Sequence, residues 1–81
     1  MRIDKFLKVS RLIKRRTVAN EACGLDRVFI NGKPVRPGDR VKIGDIIEVK
    51  LGERPLKAEV LAIDDHVSKA GASELYRIIE E

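Results

Sequence analysis

An amphipathic helical pattern opens this chain and then slips out of phase, and the slip limits what the segment can become. Ile3, Phe6 and Leu7 recur at i, i+3 and i+4 and so share one helical face, with Lys5 and Lys8 on the other side and Arg2 at its edge. Asp4 falls in the first turn, where a negative charge suits the helix dipole. On a continuous helix Leu12 would point away from the Ile3 stripe. The spacing therefore predicts a helix over residues 3–9, a bend across residues 10–14, and a second helix from Arg15 or Arg16 to Gly24. In that second helix Val18, Ala22 and Leu25 form one row and Ala19 and Cys23 the adjacent one. Small residues there permit close packing on a neighbour, and Gly24 is the expected stop.

The same segment concentrates the charge. Seven of the first 16 residues are basic (Arg2, Lys5, Lys8, Arg11, Lys14, Arg15, Arg16) and only Asp4 is acidic, a local charge of +6. The other 65 residues carry ten Lys/Arg and twelve Asp/Glu, so the whole net charge of +4 is local. Apolar residues are threaded through the basic ones, which distinguishes a folded cationic unit from a disordered basic arm.

From Arg27 onward the periodicity changes. Val28-Phe29-Ile30-Asn31 is a short strand signal, and Asn31-Gly32 is a turn dipeptide favoured where both central residues need positive φ. Lys33 to Arg36 continues on the far side, and Pro37-Gly38-Asp39 is a second turn. Ile46 to Leu51 predicts a strand with Ile47, Val49 and Leu51 on its apolar face. Leu56 to Ile63 predicts another, with Leu56, Ala58, Val60 and Ala62 on one face. Residues 69–75 are compatible with one or two helical turns, and a last strand is expected from Tyr76 to Glu80. The reading is a single α+β domain over residues 1–81: two short N-terminal helices on a small antiparallel sheet, with a core over residues 1–51 and an extension over 52–81.

The charge balance points to an anionic partner. No apolar run approaches the ~20 residues of a membrane span, and Lys5 and Lys8 interrupt any signal-peptide core, so a cytoplasmic protein without a membrane partner is expected. One cysteine, Cys23, fits a reducing compartment and reads as a small core residue. His66 stands alone, with no ligand-spaced partners, so no metal site is expected. Asp64-Asp65 reads as a solvated turn. No catalytic residues and no cofactor are expected: 81 residues leave little room for a catalytic domain, and no nucleophile or phosphate-binding glycine loop is present. Phe6 reads as core, whereas Phe29 can face either way.

Four blocks of residues carry a family resemblance. They are Arg2-Ile-Asp-Lys-Phe-Leu7; Lys14-Arg-Arg-Thr17 followed by Ala19 and Ala22; Val28-Phe-Ile-Asn-Gly-Lys33; and Val41-Lys-Ile-Gly-Asp-Ile-Ile-Glu-Val49. Together they resemble the S-four (S4) RNA-binding domain, named after small-subunit ribosomal protein four. The resemblance implies a helical pair on a bent antiparallel sheet, with RNA gripped by the helices and the turn between them. Within the family, Leu7 to Thr17 and the Tyr76 to Glu81 ending are similar to free-standing members of ribosome-associated quality control. Those imply binding to an obstructed large ribosomal subunit, at its rRNA and peptidyl-site tRNA, in support of template-free alanine tailing of stalled chains by a partner protein. The small heat-shock members of the family imply an alternative, a ribosome rescue or assembly factor. Two positions depart from the family. Asp26 replaces the usual Gly before the strand, and the second helix lacks a Ser/Thr cap at Lys14 or Arg15. Cations at a helix start are unfavourable in the free protein, a penalty that bound phosphate removes.

The expected RNA contacts are Arg2, Lys5, Arg11, Lys14, Arg15 and Arg16, of which Arg2 and Arg16 match the family motif. Weaker candidates are Lys8, Thr17, Asn20, Lys33 and Arg36. Guanidinium forks take phosphate bidentately and stack on unpaired bases, while lysine acts as a point charge. Replacing Arg2 or Arg16 with alanine is expected to weaken binding and leave stability nearly untouched. A DNA-binding helix pair is the rival of another class. It calls for a dimer on paired half-sites, whereas no coiled coil or long apolar edge appears and a monomer is expected.

Overall fold

The structure, a computed structural model, describes residues 1–79. In chain order it places α1 (Ile3–Val9), α2 (Arg16–Gly24), β1 (Val28–Ile30), β2 (Lys33–Pro34), β3 (Ile46–Val49), β4 (Leu56–Val60), α3 (Lys69–Ala72) and β5 (Tyr76–Ile78). The five strands form one antiparallel sheet in the order β2-β1-β3-β4-β5. The α+β architecture and the helical pair agree with the sequence reading.

Ile3, Phe6 and Leu7 of α1 are fully buried and share the core with Ala19, Ala22 and Cys23 of α2 and with Val28, Ile47, Val49 and Val60 of the sheet. The buried face of α2 is its small-residue face. Val18 and Leu25, expected in an apolar row with Ala22, are instead 40% and 66% exposed. A helix packed closely through alanines and a cysteine leaves the flanking larger residues outside the contact.

The chain reverses after α1 and after α2 through a residue in the left-handed region. After α1 it is Arg11 (φ 63), whose N–H donates to the Lys8 carbonyl while that of Ile13 reaches Leu7 O. Ser10, buried there, donates Oγ to the same Leu7 carbonyl at 3.3 Å. After α2 it is Asp26 (φ 56), not Gly24. Its N–H reaches Cys23 O and that of Arg27 reaches Ala22 O, the paired bonds of a Schellman motif. Asp26 thus keeps the turn that a glycine would make without strain, and Gly24 is the last helical residue.

Asn31 (φ 52) and Gly32 (φ 84) both take positive φ, as the dipeptide predicts. Asn31 also fixes the chain beyond: Oδ1 accepts from Ile46 N–H at 2.9 Å and Nδ2 donates to Asp45 at 3.1 Å. The strands are shorter than expected. β2 ends at Pro34, an edge position opposite Phe29, and one further bond, from Val35 N–H to Val28 O at 3.1 Å, follows it. β3 ends at Val49, and Leu51 is 40% exposed beside the Gly52 turn (φ 82). β4 ends at Val60 because the N–H groups of Leu61 and Ala62 turn to the Leu75 carbonyl. α3 is a single turn capped by Ser68, whose Oγ accepts from Gly71 N–H at 3.2 Å. β5 opens at Tyr76 as expected, and Glu80 lies outside the described residues. Phe29 is half-buried, with the Lys50 ammonium 4.6 Å from its ring centroid. None of the helices among the described residues is long and apolar enough to cross a membrane.

Candidate nucleic-acid interface

Asp4 is the centre of the basic surface. It is 2% exposed, yet it is an acid among cations. Its Oδ1 accepts from the Lys5 N–H at 2.8 Å and from Arg16 Nη2 at 3.4 Å. Its Oδ2 accepts from Arg2 Nη2 at 3.2 Å and from Asn20 Nδ2 at 3.5 Å. Burial alone would raise the Asp4 carboxyl. Donation from Arg16 and Asn20 and the charges of Arg16 and Arg2 outweigh it and hold the group below the usual carboxylate range. One carboxylate thereby ties the start of α1 to the start of α2 and fixes two arginines that remain about half-exposed, at 49% and 47%. Arg2 and Arg16 therefore serve stability as well as presenting charge, a role the sequence reading did not assign to them. Nor did it give Asp4 more than a helix-dipole role.

The loop after β2 completes this corner. Ile3 N–H donates to Asp39 O at 2.7 Å and Val41 N–H to Met1 O at 3.0 Å, and Arg2 and Arg40 form an isolated antiparallel bridge. Arg2 Nη2 lies over Gly38, 4.0 Å from where a β-carbon would stand. Arg2, Lys5, Arg16 and Arg40 line one open depression of about 460 Å³ together with Met1, Ile63 and Asp65. Arg40 went unnoticed in the sequence, because its nearness to Arg2 depends on how the loop folds back. A neighbouring depression of about 460 Å³ is lined by Asp4, Arg16, Thr17, Asn20 and Glu21.

The remaining candidates divide by position. Lys8, Arg11, Lys14 and Arg15 are exposed around the turn between the helices and, among the described residues, make no ion pair or side-chain hydrogen bond. Arg15 is the N-cap of α2 and makes no side-chain cap bond, so the missing cap is real. Lys5 is engaged: its Nζ pairs with Asp65 at 3.0 Å, which lowers the Asp65 carboxyl through donation from Lys5. The Asp64-Asp65 turn is exposed, but it is not merely solvated. Asn20 is committed to Asp4, whereas Thr17 is exposed beside it. Arg36 lies at the other end of α2, lining a depression with Cys23, Gly24 and Asp26, and Lys33 is on the edge strand β2. Neither joins the Asp4 cluster. Cys23 is buried, and burial, with the charges of Asp4 and Asp39, pushes its thiol up to about 11. Among the described residues no group of three potential metal ligands exists.

Arg11 has an exposed cationic side chain on a strained backbone. A left-handed non-glycine residue costs ~1–2 kcal/mol, partly offset by the unfolded-state freedom that glycine would add, ~0.4–1 kcal/mol. Arg11→Gly is thus expected to raise the melting temperature by about 2–6 °C while weakening RNA binding. Asp26→Gly is expected to stabilise comparably without changing binding. Thermal melts and RNA titrations of both variants check this. Equal binding by the two would remove Arg11 from the interface.

Residues 1–47 match the family model described as the S4 domain. The chain belongs to the S4 domain family. Full-length likeness follows the same line. The chain is 44% identical over 81 residues to the RQC P-site tRNA stabilizing factor of Listeria monocytogenes, covering 100% of this chain and 88% of that protein. It is 43% identical to the protein of that name from Bacillus subtilis, covering 100% and 94%. Among solved structures, the trimeric structure of Vibrio cholerae Heat Shock Protein 15 superposes with a TM-score of 0.89 at 29% identity, over 98% of this chain and 81% of that one. The S4 match spans α1, α2, β1 and β2 and runs into β3, so the Asp4 cluster and the Arg40 loop both belong to the S4 domain.

Proposed function

We propose that this protein binds RNA without catalysing a reaction, acting in ribosome-associated quality control. It binds the obstructed large ribosomal subunit at rRNA and peptidyl-site tRNA, and supports template-free alanine tailing of the stalled chain by a partner factor. It works in the cytoplasm as a monomer. Arg2, Lys5, Arg11, Lys14, Arg15 and Arg16 make the principal contacts. Lys8 and Thr17 are peripheral, Asn20 acts through Asp4, and Lys33 and Arg36 lie away from the cluster.

The observation that carries the reading is likeness along the entire chain, at 43–44% identity, to proteins named for stabilising P-site tRNA. The chemistry supports it. Double-stranded RNA is recognised through shape, phosphates and 2′-hydroxyls, and half-exposed guanidinium groups held by a buried carboxylate offer pre-oriented forks for phosphate. Deleting the protein is expected to reduce alanine tails on stalled nascent chains, read by mass spectrometry. Undiminished tailing would favour the second reading, a rescue factor, which the likeness to Heat Shock Protein 15 supports.

A further inference from the structure

We propose that Arg40 and Arg2 together clamp one phosphate of the bound RNA, making the loop after β2 a third part of the interface beside α1 and α2. This rests on the RNA-binding reading and adds to it a residue outside the helical pair.

Directly opposed residues of an antiparallel bridge project their side chains from the same face, with Cβ atoms ~4.5–5.5 Å apart. Arg2 and Arg40 are such a pair. Like charges placed directly opposite one another are destabilising, so this pairing is locally unfavourable. Arg2 is relieved by Asp4 at 3.2 Å. Arg40 has no such relief: among the described residues its side chain makes no ion pair or hydrogen bond. Neither nearby acid pairs with it: Asp39 Oδ2 accepts from Arg36 N–H at 2.9 Å, Asp65 is paired with Lys5, and among the described residues neither carboxylate forms an ion pair with Arg40. The backbone bonds from Ile3 to Asp39 and from Val41 to Met1 hold the loop in place, so the two guanidinium groups cannot simply drift apart at their roots. Gly38 leaves room beneath Arg2. The depression they share also receives Arg16 and is open to solvent on a scale of about 460 Å³, enough for a phosphate with its flanking sugars. An oxyanion between Arg2 and Arg40 converts the repulsion into two charge-assisted pairs.

The test measures the affinity of purified large ribosomal subunits carrying P-site tRNA for the full chain across a salt series. Wild type is compared with Arg40→Gln, Arg40→Lys, Arg16→Ala and Arg54→Gln, the last altering an exposed arginine in the turn before β4. Arg40→Gln is expected to bind roughly threefold to tenfold more weakly with a nearly unchanged salt slope, because Arg2 still neutralises the shared phosphate. Arg40→Lys should recover part of the affinity, and Arg54→Gln should match wild type. If Arg40→Gln matches Arg54→Gln while Arg16→Ala binds weakly, the clamp is wrong and the RNA-binding reading stands. If wild type itself does not bind, that reading fails and Arg40 loses its role with it.

Discussion

Replacing Asp4 with alanine is expected to lower both stability and RNA affinity, although it makes the basic surface more positive by one charge. Counting charge alone predicts tighter binding. Positioning predicts the opposite, and the magnitudes favour positioning. Asp4 is buried and accepts four hydrogen bonds, two of them from arginines at the starts of the two helices, Arg2 just before α1 and Arg16 in α2. Because those arginines are half-exposed and can be resolvated, the stability loss belongs at the lower end for charged hydrogen bonds, about 1–2 kcal/mol. That corresponds to a melting temperature lower by roughly 5–15 °C in a domain this small. Freeing Arg2 and Arg16 adds an ordering cost on binding of ~0.5–1.5 kcal/mol for each side chain, or about fivefold to a hundredfold in affinity. Removing this buried acid's repulsion of a phosphate ~8 Å away returns about 1–2 kcal/mol at the effective dielectric of a protein surface, and less once salt screens it. Thermal melts and subunit titrations of Asp4→Ala decide the matter, and tighter binding would show that Asp4 does not position the arginines.

The same carboxylate sets a pH dependence. Its folded value lies below its ordinary value of 3.8, so the unfolded chain takes up its proton first as pH falls. The contribution is therefore complete above about pH 4 and is lost as pH drops through the folded value. Melting temperature should decline in that acid window in wild type and decline less in Asp4→Asn.

Salt should weaken binding steeply. If Arg2, Lys5, Arg11, Lys14, Arg15 and Arg16 each neutralise one phosphate, log affinity against log salt has a slope of roughly −5, and affinity falls about a thousandfold between 50 and 200 mM. Lys5 must leave Asp65 to take part. A nearly flat salt profile would exclude an interface built on the cationic turn.

What could be read in advance was local. The Ile3-Phe6-Leu7 stripe, the break after Ser10, the Asn31-Gly32 turn and the buried Cys23 each follow from residues within a few positions of one another. What escaped depends on distant partners. Asp4 meets Arg16 and Asn20 across 12 and 16 positions, and Lys5 meets Asp65 across 60. Arg40 reaches Arg2 only once the Pro37–Asp39 turn has folded back onto α1. Strand ends were overestimated for a similar reason. The alternation in Leu56 to Ile63 continues past Val60, but the pairing ends where Leu75 captures the next N–H groups. The site's surface charge was therefore legible, while the buried acid that arranges it was not.

On the proposed function, the Asp4-held arginines are expected to bind the large subunit where peptidyl-tRNA remains. Co-sedimentation of wild type and Arg16→Ala with subunits carrying peptidyl-tRNA, and with vacant subunits, tests it most directly. Wild type is expected to be retained strongly on the occupied subunits and more weakly on vacant ones, and Arg16→Ala, while still melting cooperatively, to be retained on neither. Equal retention of the two proteins, on occupied and vacant subunits alike, would contradict it.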